Sequence, residues 1–158
     1  IIVEGKARIQ ENLCIGCGEC AVTCNYKAIK VGSKTTPDVI QEKIVEYTVG
    51  ALKGKEGKTG FITFVNNVSP LCDCCSWNDI PIVNDIGILA STDPVAIDQA
   101  AVDLVNQAQG NPHSVLGERY QEADKFRAIH PEVDWSVQLA YGEKVGLGSR
   151  QYKLITLP

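Results

Sequence analysis

The chain has 158 residues, of which 44% are hydrophobic and 22% are charged, and its formal net charge is -4 at pH 7. This composition is typical of a globular domain and excludes a disordered or low-complexity protein. Because the Lys and Arg residues are scattered, the sequence does not favour a nucleic-acid or anionic-membrane surface. No apolar stretch approaches the roughly twenty residues of a membrane span, and no signal peptide is visible. We therefore expect no nucleic-acid or membrane partner.

Residues 1–36 are predicted to form a small module in which a cysteine-rich loop with a helical turn joins two strands. The candidate strands are KARIQ, residues 6–10, and AIKV, residues 28–31. The chain lacks methionine and opens on IIVEGKARI, which itself reads as a strand, so we expect it to be part of a longer protein. The polar segment GSKTTPD, residues 32–38, predicts the boundary of the module.

Residues 37–158 are predicted to form an α/β domain with a mixed sheet and helices. A helix is expected over 38–54, where apolar residues recur at steps of three and four. Its buried face is predicted to hold Ile40, Ile44, Tyr47, Ala51 and Leu52, and its outer face Glu42, Lys43 and Glu46. FITFV, residues 61–65, predicts a buried strand by its aromatic and β-branched content.

The segment IPIVNDIGILAS, residues 80–91, is expected to supply one or two strands, followed by a helix in TDPVAIDQAAVDLVNQ. Thr92 or Asp93 is predicted to cap this helix, and Pro94 suits its first turn. Its apolar face is predicted to contain Ala96, Ala100, Val102, Leu104 and Val105.

Two further helices are predicted over 114–131 and 132–148, stopped by Pro131 and Gly146. A final strand is expected in YKLITL, residues 152–157. Strands that alternate with helices indicate an α+β or α/β layer that carries the small cysteine module.

The seven cysteines form two groups, in CIGCGECAVTC, residues 14–24, and in CDCC, residues 72–75. Their odd number, their clustering and the lack of a secretion signal argue against a disulfide framework. Zinc sites favour paired C-x2-C segments a dozen or more residues apart, which is not the pattern here. The first group instead has the C-x2-C-x2-C-x3-C spacing with which bacterial ferredoxins bind iron–sulfur clusters, at Cys14, Cys17, Cys20 and Cys24.

Glycines between the ligands suit this chemistry, since Gly16 and Gly18 allow the loop to wrap tightly around a cluster. Backbone N–H groups then face the sulfurs and help to set the reduction potential. Apolar Ile15 and Ala21 are expected to keep water off the cluster.

The segment CIGCGECAVTCNYKAI resembles one half of a bacterial-type [4Fe-4S] ferredoxin, although Asn25 stands where that family has proline. From residue 6 to about residue 157, the sequence resembles the C-terminal portion of the uncharacterised iron–sulfur family called domain of unknown function 362. CDCCSWNDIPIVNDIGILASTDPVAIDQAAVDLVNQA carries much of this resemblance. It implies that a further α/β part precedes the cysteine module in longer members.

In two-cluster ferredoxins, the fourth cysteine of such a run ligates the other cluster. Cys14, Cys17 and Cys20 then need a ligand from elsewhere in the chain. The remaining candidates are Cys72, Cys74 and Cys75.

Three arrangements are compatible with seven thiolates. In the first, one CDCC thiolate joins Cys14, Cys17 and Cys20 around a single [4Fe-4S] cluster. In the second, a four-thiolate cluster lies beside a three-thiolate cluster, which is [3Fe-4S] or takes Asp73 as a further ligand. In the third arrangement, Cys24 joins the CDCC thiolates around a second metal. We expect at least one [4Fe-4S] cluster, with both cysteine groups in one neighbourhood; the alternative for CDCC is three buried, inert thiols.

Other polar residues are expected to have structural roles. Turn positions are predicted for Asp79 and Asp85, a helix cap for Asp93 and a solvated helix position for Asp98. His113 and His130 lie beside prolines and are predicted to be surface residues, whereas Trp77 and Trp135 are predicted core or interface anchors.

The sequence thus predicts an iron–sulfur electron-transfer protein with a redox partner protein, rather than a stand-alone enzyme. One alternative is a redox enzyme whose active site lies in the α/β part and takes electrons from the cluster. Another is a structural metal site that links the two modules. We expect a reducing, cytoplasmic location, and either self-association or a preceding portion of a longer chain.

Overall fold

The computed structural model describes residues 2–3, 5–10, 12–15, 19–26, 28–29, 36–72 and 77–157. The chain divides into two compact units, Ile1–Thr35 and Thr36–Pro158, called here the N-terminal and C-terminal units. Helices and strands occur in both, so the predicted mixture of α and β structure is confirmed. Within the described ranges, no helix has the length and apolar character needed to cross a membrane.

The described part of the N-terminal unit consists of a short hairpin and one helical turn. β1 (Ile2–Val3) pairs antiparallel with β2 (Lys6–Ala7), and Gly5 between them has the positive φ of 73° that glycine tolerates. α1 (Glu19–Val22) is the helical turn predicted inside the cysteine loop. IIVEGKARI is therefore a hairpin instead of one strand, because the chain reverses at Gly5.

The predicted pairing of KARIQ with AIKV is wrong for the described residues. KARIQ contributes only Lys6 and Ala7 to a strand, and their partner is β1. Ala28 and Ile29 lie in no strand, while residues 30–31 are outside the described ranges. The hairpin offers β2 a partner a few residues away, which closes a much shorter loop.

The C-terminal unit begins with the predicted long helix, α2 (Pro37–Leu52). The Thr36 hydroxyl accepts a hydrogen bond from the Val39 N–H at 3.4 Å, and Pro37 occupies the first turn, where no N–H is needed. The helix predicted over 38–54 is therefore confirmed, with its start one residue earlier than the apolar periodicity indicates.

The predicted buried face of α2 is wrong. Gln41 and Val45 are its buried residues, whereas Ile40, Ile44 and Tyr47 are exposed, Tyr47 by 68%. Since α2 packs against α5 (Ser136–Lys144), the orientation of α2 depends on a partner about a hundred residues away.

The sheet of the C-terminal unit has two antiparallel strands, β3 (Phe61–Val65) and β4 (Gly87–Ser91). The prediction of a mixed sheet, with parallel as well as antiparallel strands, is therefore wrong for the described residues. Successive side chains alternate between the two faces, and only one face is covered, so Val65 is buried while Phe64 is 63% exposed. FITFV is confirmed as a strand, but the expectation that it is fully buried is wrong.

α3 (Pro94–Gln107) packs on both strands. Asp93, and not Thr92, is its cap, because Asp93 Oδ1 accepts the N–H groups of Val95 at 2.8 Å and Ala96 at 2.9 Å. The predicted apolar face is only partly right. Ala100 and Val105 are buried, Ala96, Val102 and Leu104 are half-buried, and Val95, Ile97 and Gln99 are buried in addition.

The single helix predicted over 114–131 is wrong, since the segment forms a 3₁₀ helix (Gly117–Gln121) and then α4 (Lys125–Ile129). Asp124 lies between them and accepts the Arg127 N–H at 3.0 Å. Asp124 is therefore the cap at which α4 begins.

The last predicted helix is confirmed as α5, which is followed by Gly146 with a φ of 76°. The predicted strand over 152–157 is wrong. This segment is exposed and lies in no strand, although its sequence has high β propensity, because no neighbouring strand pairs with it among the described residues.

A hydrophobic cluster holds the C-terminal unit together. Its buried members are Val65, Ile82, Val83, Val105 and Leu116. Leu116 and Val83 are 1% exposed and Ile82 is fully buried. All of these residues belong to the C-terminal unit.

Candidate metal centre

Three of the four cysteines in the first group are described. Cys14 is exposed and follows a turn in which the Leu13 and Cys14 N–H groups both donate to Gln10 O at 3.0 Å. Cys20 is also exposed and lies in α1. Cys17 lies outside the described residues. Exposed thiols are accessible to a metal, unlike thiols sealed in a core.

Cys24 is half-buried. Its sulfur accepts a hydrogen bond from the Ala28 N–H at 3.4 Å. A donor directed at sulfur favours the thiolate over the thiol, and hydrogen bonds of this kind are among the factors that set cluster potentials. This contact is therefore suited to a metal ligand.

The apolar side chains around these cysteines are not buried. Leu13 and Tyr26 are exposed, and Ile15 is 80% exposed. Ala21 is half-buried. The expected role of Ile15 in keeping water from the cysteines is therefore wrong for the arrangement that the described residues adopt.

In the second group, Cys72 is exposed, and Asp73, Cys74 and Cys75 lie outside the described residues. The interpretation of CDCC as three buried thiols is therefore wrong for Cys72. Cys72 directly follows Leu71 and the buried Pro70, so the loop emerges from a fixed base.

The base of this loop is closed by the side chain of Asn78. Its Oδ1 accepts the Leu71 N–H at 3.3 Å, and its Nδ2 donates to Leu71 O at 2.7 Å and to Ser69 Oγ at 2.9 Å. The amide thus satisfies both backbone groups of Leu71, as a neighbouring strand would. This contact, called here the Asn78 clamp, fixes the separation of the two ends of the CDCC loop.

A second contact holds the loop base from the residue that follows α4. His130 Nε2 lies 2.8 Å from Pro70 O. Because a carbonyl oxygen only accepts, Nε2 must carry the hydrogen and Nδ1 faces Glu132 Oε1 at 3.9 Å. The His130 side chain is 41% exposed and His113 is exposed, so both are surface residues as predicted.

Neither of these two anchoring contacts was predicted from the sequence. Asn78 and Asp79 form a pair of turn residues, a local signal that could have drawn attention to Asn78. His130 had no such signal, because Pro70 lies 60 residues away in the chain.

Within the described ranges, no group of three His, Cys, Asp or Glu side chains is arranged to hold a metal ion. The predicted ligands outside those ranges are Cys17, Asp73, Cys74 and Cys75. The two cysteine groups belong to different units. The described thiols fit a metal centre by their donor chemistry, because they are accessible or hydrogen-bonded at sulfur.

Of the four aspartates, Asp93 has its predicted role as the α3 cap. Asp79 accepts the Ile80 N–H at 2.7 Å and Asp85 accepts the Asn67 N–H at 2.8 Å, but neither lies in a turn as predicted.

The prediction of a solvated position for Asp98 is wrong. Asp98 is half-buried beside a cavity of about 50 Å³ that Val45 and Leu139 also line, and burial raises its pKa. It makes no hydrogen bond or ion pair in the part of the chain that the structure describes.

The two tryptophans differ in environment. Trp135 is half-buried and donates from Nε1 to Asp124 Oδ2 at 2.9 Å, consistent with an anchor. Trp77, just after the CDCC loop, is 69% exposed and is therefore not a core residue.

A family model described as Domain of unknown function (DUF362) matches residues 10–103, more than half of the chain. This range contains all seven cysteines, the Asn78 clamp and both strands of the C-terminal sheet. No curated protein matches the chain, and no solved structure matches it.

Proposed function

Since the chain belongs to the family described as Domain of unknown function (DUF362), which implies no activity, we propose a function from its cysteines: an iron–sulfur protein that transfers single electrons. One observation carries the proposal. The C-x2-C-x2-C-x3-C spacing from Cys14 to Cys24 is typical of ferredoxin cluster binding.

The proposed ligands of a [4Fe-4S] cluster are Cys14, Cys17 and Cys20 together with one thiolate of CDCC. Cys24 and the remaining CDCC thiolates are then available for a second centre, either a metal or a [3Fe-4S] cluster. When bound, the cluster supplies one-electron oxidation and reduction. The N-terminal unit is in this proposal a ferredoxin-like module.

The chain's own residues contribute ligand geometry and hydrogen bonding. The Ala28 N–H stabilises negative charge on Cys24 Sγ. The Asn78 clamp and the His130 contact hold the backbone on both sides of the CDCC loop. A fixed base reduces the entropy that the loop loses when a thiolate binds metal.

The proposal includes a redox partner protein and a reducing, cytoplasmic compartment, because exposed thiolate centres are oxidised elsewhere. Cys14, Cys20 and Cys72 are all exposed. Exposure of this kind suits electron exchange with another protein.

The alternative of a redox enzyme requires a substrate cavity near the cluster. A cavity of about 520 Å³ lies in the C-terminal unit, lined by Leu52, Phe61 and Leu147 among others. It lies at the Phe61 end of β3, whereas the CDCC loop follows the Val65 end of this strand, and the two strand ends are roughly 13 Å apart at the usual rise per residue. This separation favours an electron carrier over an enzyme with that cavity as its active site.

Redox cycling tests the electron-transfer role. Anaerobically purified protein is reduced and reoxidised stepwise while its visible absorbance is followed. We expect a reversible change with a defined midpoint potential. A bound metal that never changes oxidation state would contradict electron transfer and leave only the structural role of linking the two units.

The remote ligand is found by substituting Cys72, Cys74 and Cys75 by alanine one at a time. We expect one of these variants to lose iron and the other two to retain the first cluster. Equal iron content in all three would exclude a CDCC ligand.

A further inference from the structure

A second candidate site lies in the C-terminal unit, at the end of the β3–β4 sheet nearest the CDCC loop. It is a cavity of about 270 Å³ between the C-terminal end of α3 and the segment that leads into α4. Its walls come from residues 106–110, 120–123 and 125. The volume is close to the lower limit of small-molecule sites, about 300 Å³.

Lys125 in this cavity wall is unusual because it is only 3% exposed. Its Nζ donates to Asn106 O at 2.6 Å, and in the described residues no carboxylate lies within ion-pair distance. An ammonium group has three N–H donors, so two remain for another acceptor. Burial lowers the pKa of Lys125, which reflects the cost of a buried charge without a counter-charge.

The remaining polar groups of the cavity are also rich in donors. Tyr120 Oη accepts a hydrogen bond from Gln121 Nε2 at 2.8 Å, so its own O–H is available to donate. Gln107 and Gln109 also line the cavity and are exposed, and their side-chain amides make no hydrogen bond within the described ranges. Such a lining is complementary to a ligand that accepts hydrogen bonds and carries negative charge.

The cavity is formed by walls that contact each other directly. A Cβ atom added at Gly110 would lie 2.2 Å from Tyr120 O, so only glycine allows this approach. The Lys125 N–H also donates to Asn106 Oδ1 at 3.0 Å. Backbone contacts of this kind keep the cavity open before a ligand binds, which limits the entropy lost on binding.

We propose that this cavity binds a small carboxylate, whose oxygens accept hydrogen bonds from Lys125 Nζ and Tyr120 Oη. Glu122 also lines the cavity and is exposed. Its negative charge disfavours ligands with several charges, so we expect a monocarboxylate to bind better than a dicarboxylate. The proposal is independent of the iron–sulfur function.

The competing explanation is purely structural, since the Lys125 contact satisfies a carbonyl in the last turn of α3. Titration calorimetry on the full chain distinguishes the binding site from this structural explanation. The two ligands are propionate and its neutral isostere propionamide. We expect propionate to bind at least about tenfold more tightly than propionamide, and more tightly than succinate, because a charged partner strengthens the hydrogen bonds.

Variants complete the test. Lys125→Met should weaken propionate binding at least about tenfold, Lys125→Arg should retain part of it, and the control Lys153→Met, at an exposed site, should leave it unchanged. If Lys125→Met does not fold, Tyr120→Phe removes only the hydroxyl and should weaken binding about threefold or more. Equal affinities for acid and amide, or no heat with propionate up to about 10 mM, would overturn the proposal.

Discussion

The two units differ in their regular structure. In the C-terminal unit, side chains cap α2 and α3, and a buried apolar cluster lies beneath the sheet. The described part of the N-terminal unit has two-residue strands and a single helical turn. A unit this small usually depends on disulfides or metal for its stability. In the proposed function, metal ligation does in this unit what hydrophobic burial does in the other.

The largest effect is expected from removing a ligand in the N-terminal unit. Cys14→Ala should lose nearly all bound iron, because a cluster that lacks one of the proposed ligands is not retained. Iron analysis after anaerobic purification measures this. Asn25→Ala, at an exposed site in the same segment, is the control and should keep its iron. An unchanged iron content in Cys14→Ala would exclude this residue as a ligand.

Removal of the metal should affect the two units differently. With a chelator under oxidising conditions, we expect limited proteolysis to cleave within residues 1–35 and to leave residues 36–158 intact, because only the first unit depends on its ligands. Mass spectrometry of the fragments locates the cuts. Equal resistance of residues 1–35 with and without metal would show that the N-terminal unit is stable without it.

A core substitution should affect the C-terminal unit alone. Ile82→Ala removes a fully buried side chain and should lower the free energy of unfolding by about 2–5 kcal/mol. Ile155→Ala, at a position 70% exposed, should change it little. Chemical denaturation followed by circular dichroism compares the variants, and similar losses in both would contradict the assignment of the core.

A smaller effect is expected at the α3 cap. Asp93→Ala removes the bonds to Val95 and Ala96 and a third to the Ser149 N–H, and should cost about 1–2 kcal/mol. Thr92→Ala is the matched control, since Thr92 does not cap the helix. A larger loss in Thr92→Ala than in Asp93→Ala would reverse the assignment.

The smallest effect is pH-dependent and concerns Asp98. Burial raises the pKa of Asp98 in the folded state, so its ionised form opposes folding at neutral pH. Asp98→Asn should therefore raise Tm at pH 7. This gain should disappear at about pH 3, below the ordinary pKa of an aspartate, where the carboxyl is neutral in both states. Thermal unfolding at both pH values checks the prediction, and a gain of the same size at both would contradict it.

Features with local signals could be predicted from the sequence. The start of α2 was predicted to within one residue from its apolar periodicity. The capped start of α3 was predicted because proline and capping residues act on the turn that follows them. The cysteine spacing is local as well, which is why the candidate ligands in residues 14–24 could be named without a structure.

The errors concern contacts between distant parts of the chain. Gln41 is buried because its Oε1 accepts the Gln138 N–H at 3.3 Å, and helical periodicity does not show which partner a helix meets. The segment over 152–157 has the composition of a strand, but Tyr152 Oη donates instead to Asp103 of α3 at 2.8 Å. The His130 contact with Pro70 was unpredictable for the same reason.

The central claim is that the cysteines hold an iron–sulfur cluster, and its most direct test is the iron and acid-labile sulfide content of anaerobically purified wild-type protein. One [4Fe-4S] cluster predicts about four irons and four sulfides per chain, and a second centre predicts more. Zinc in place of iron, or iron without inorganic sulfide, would contradict the claim.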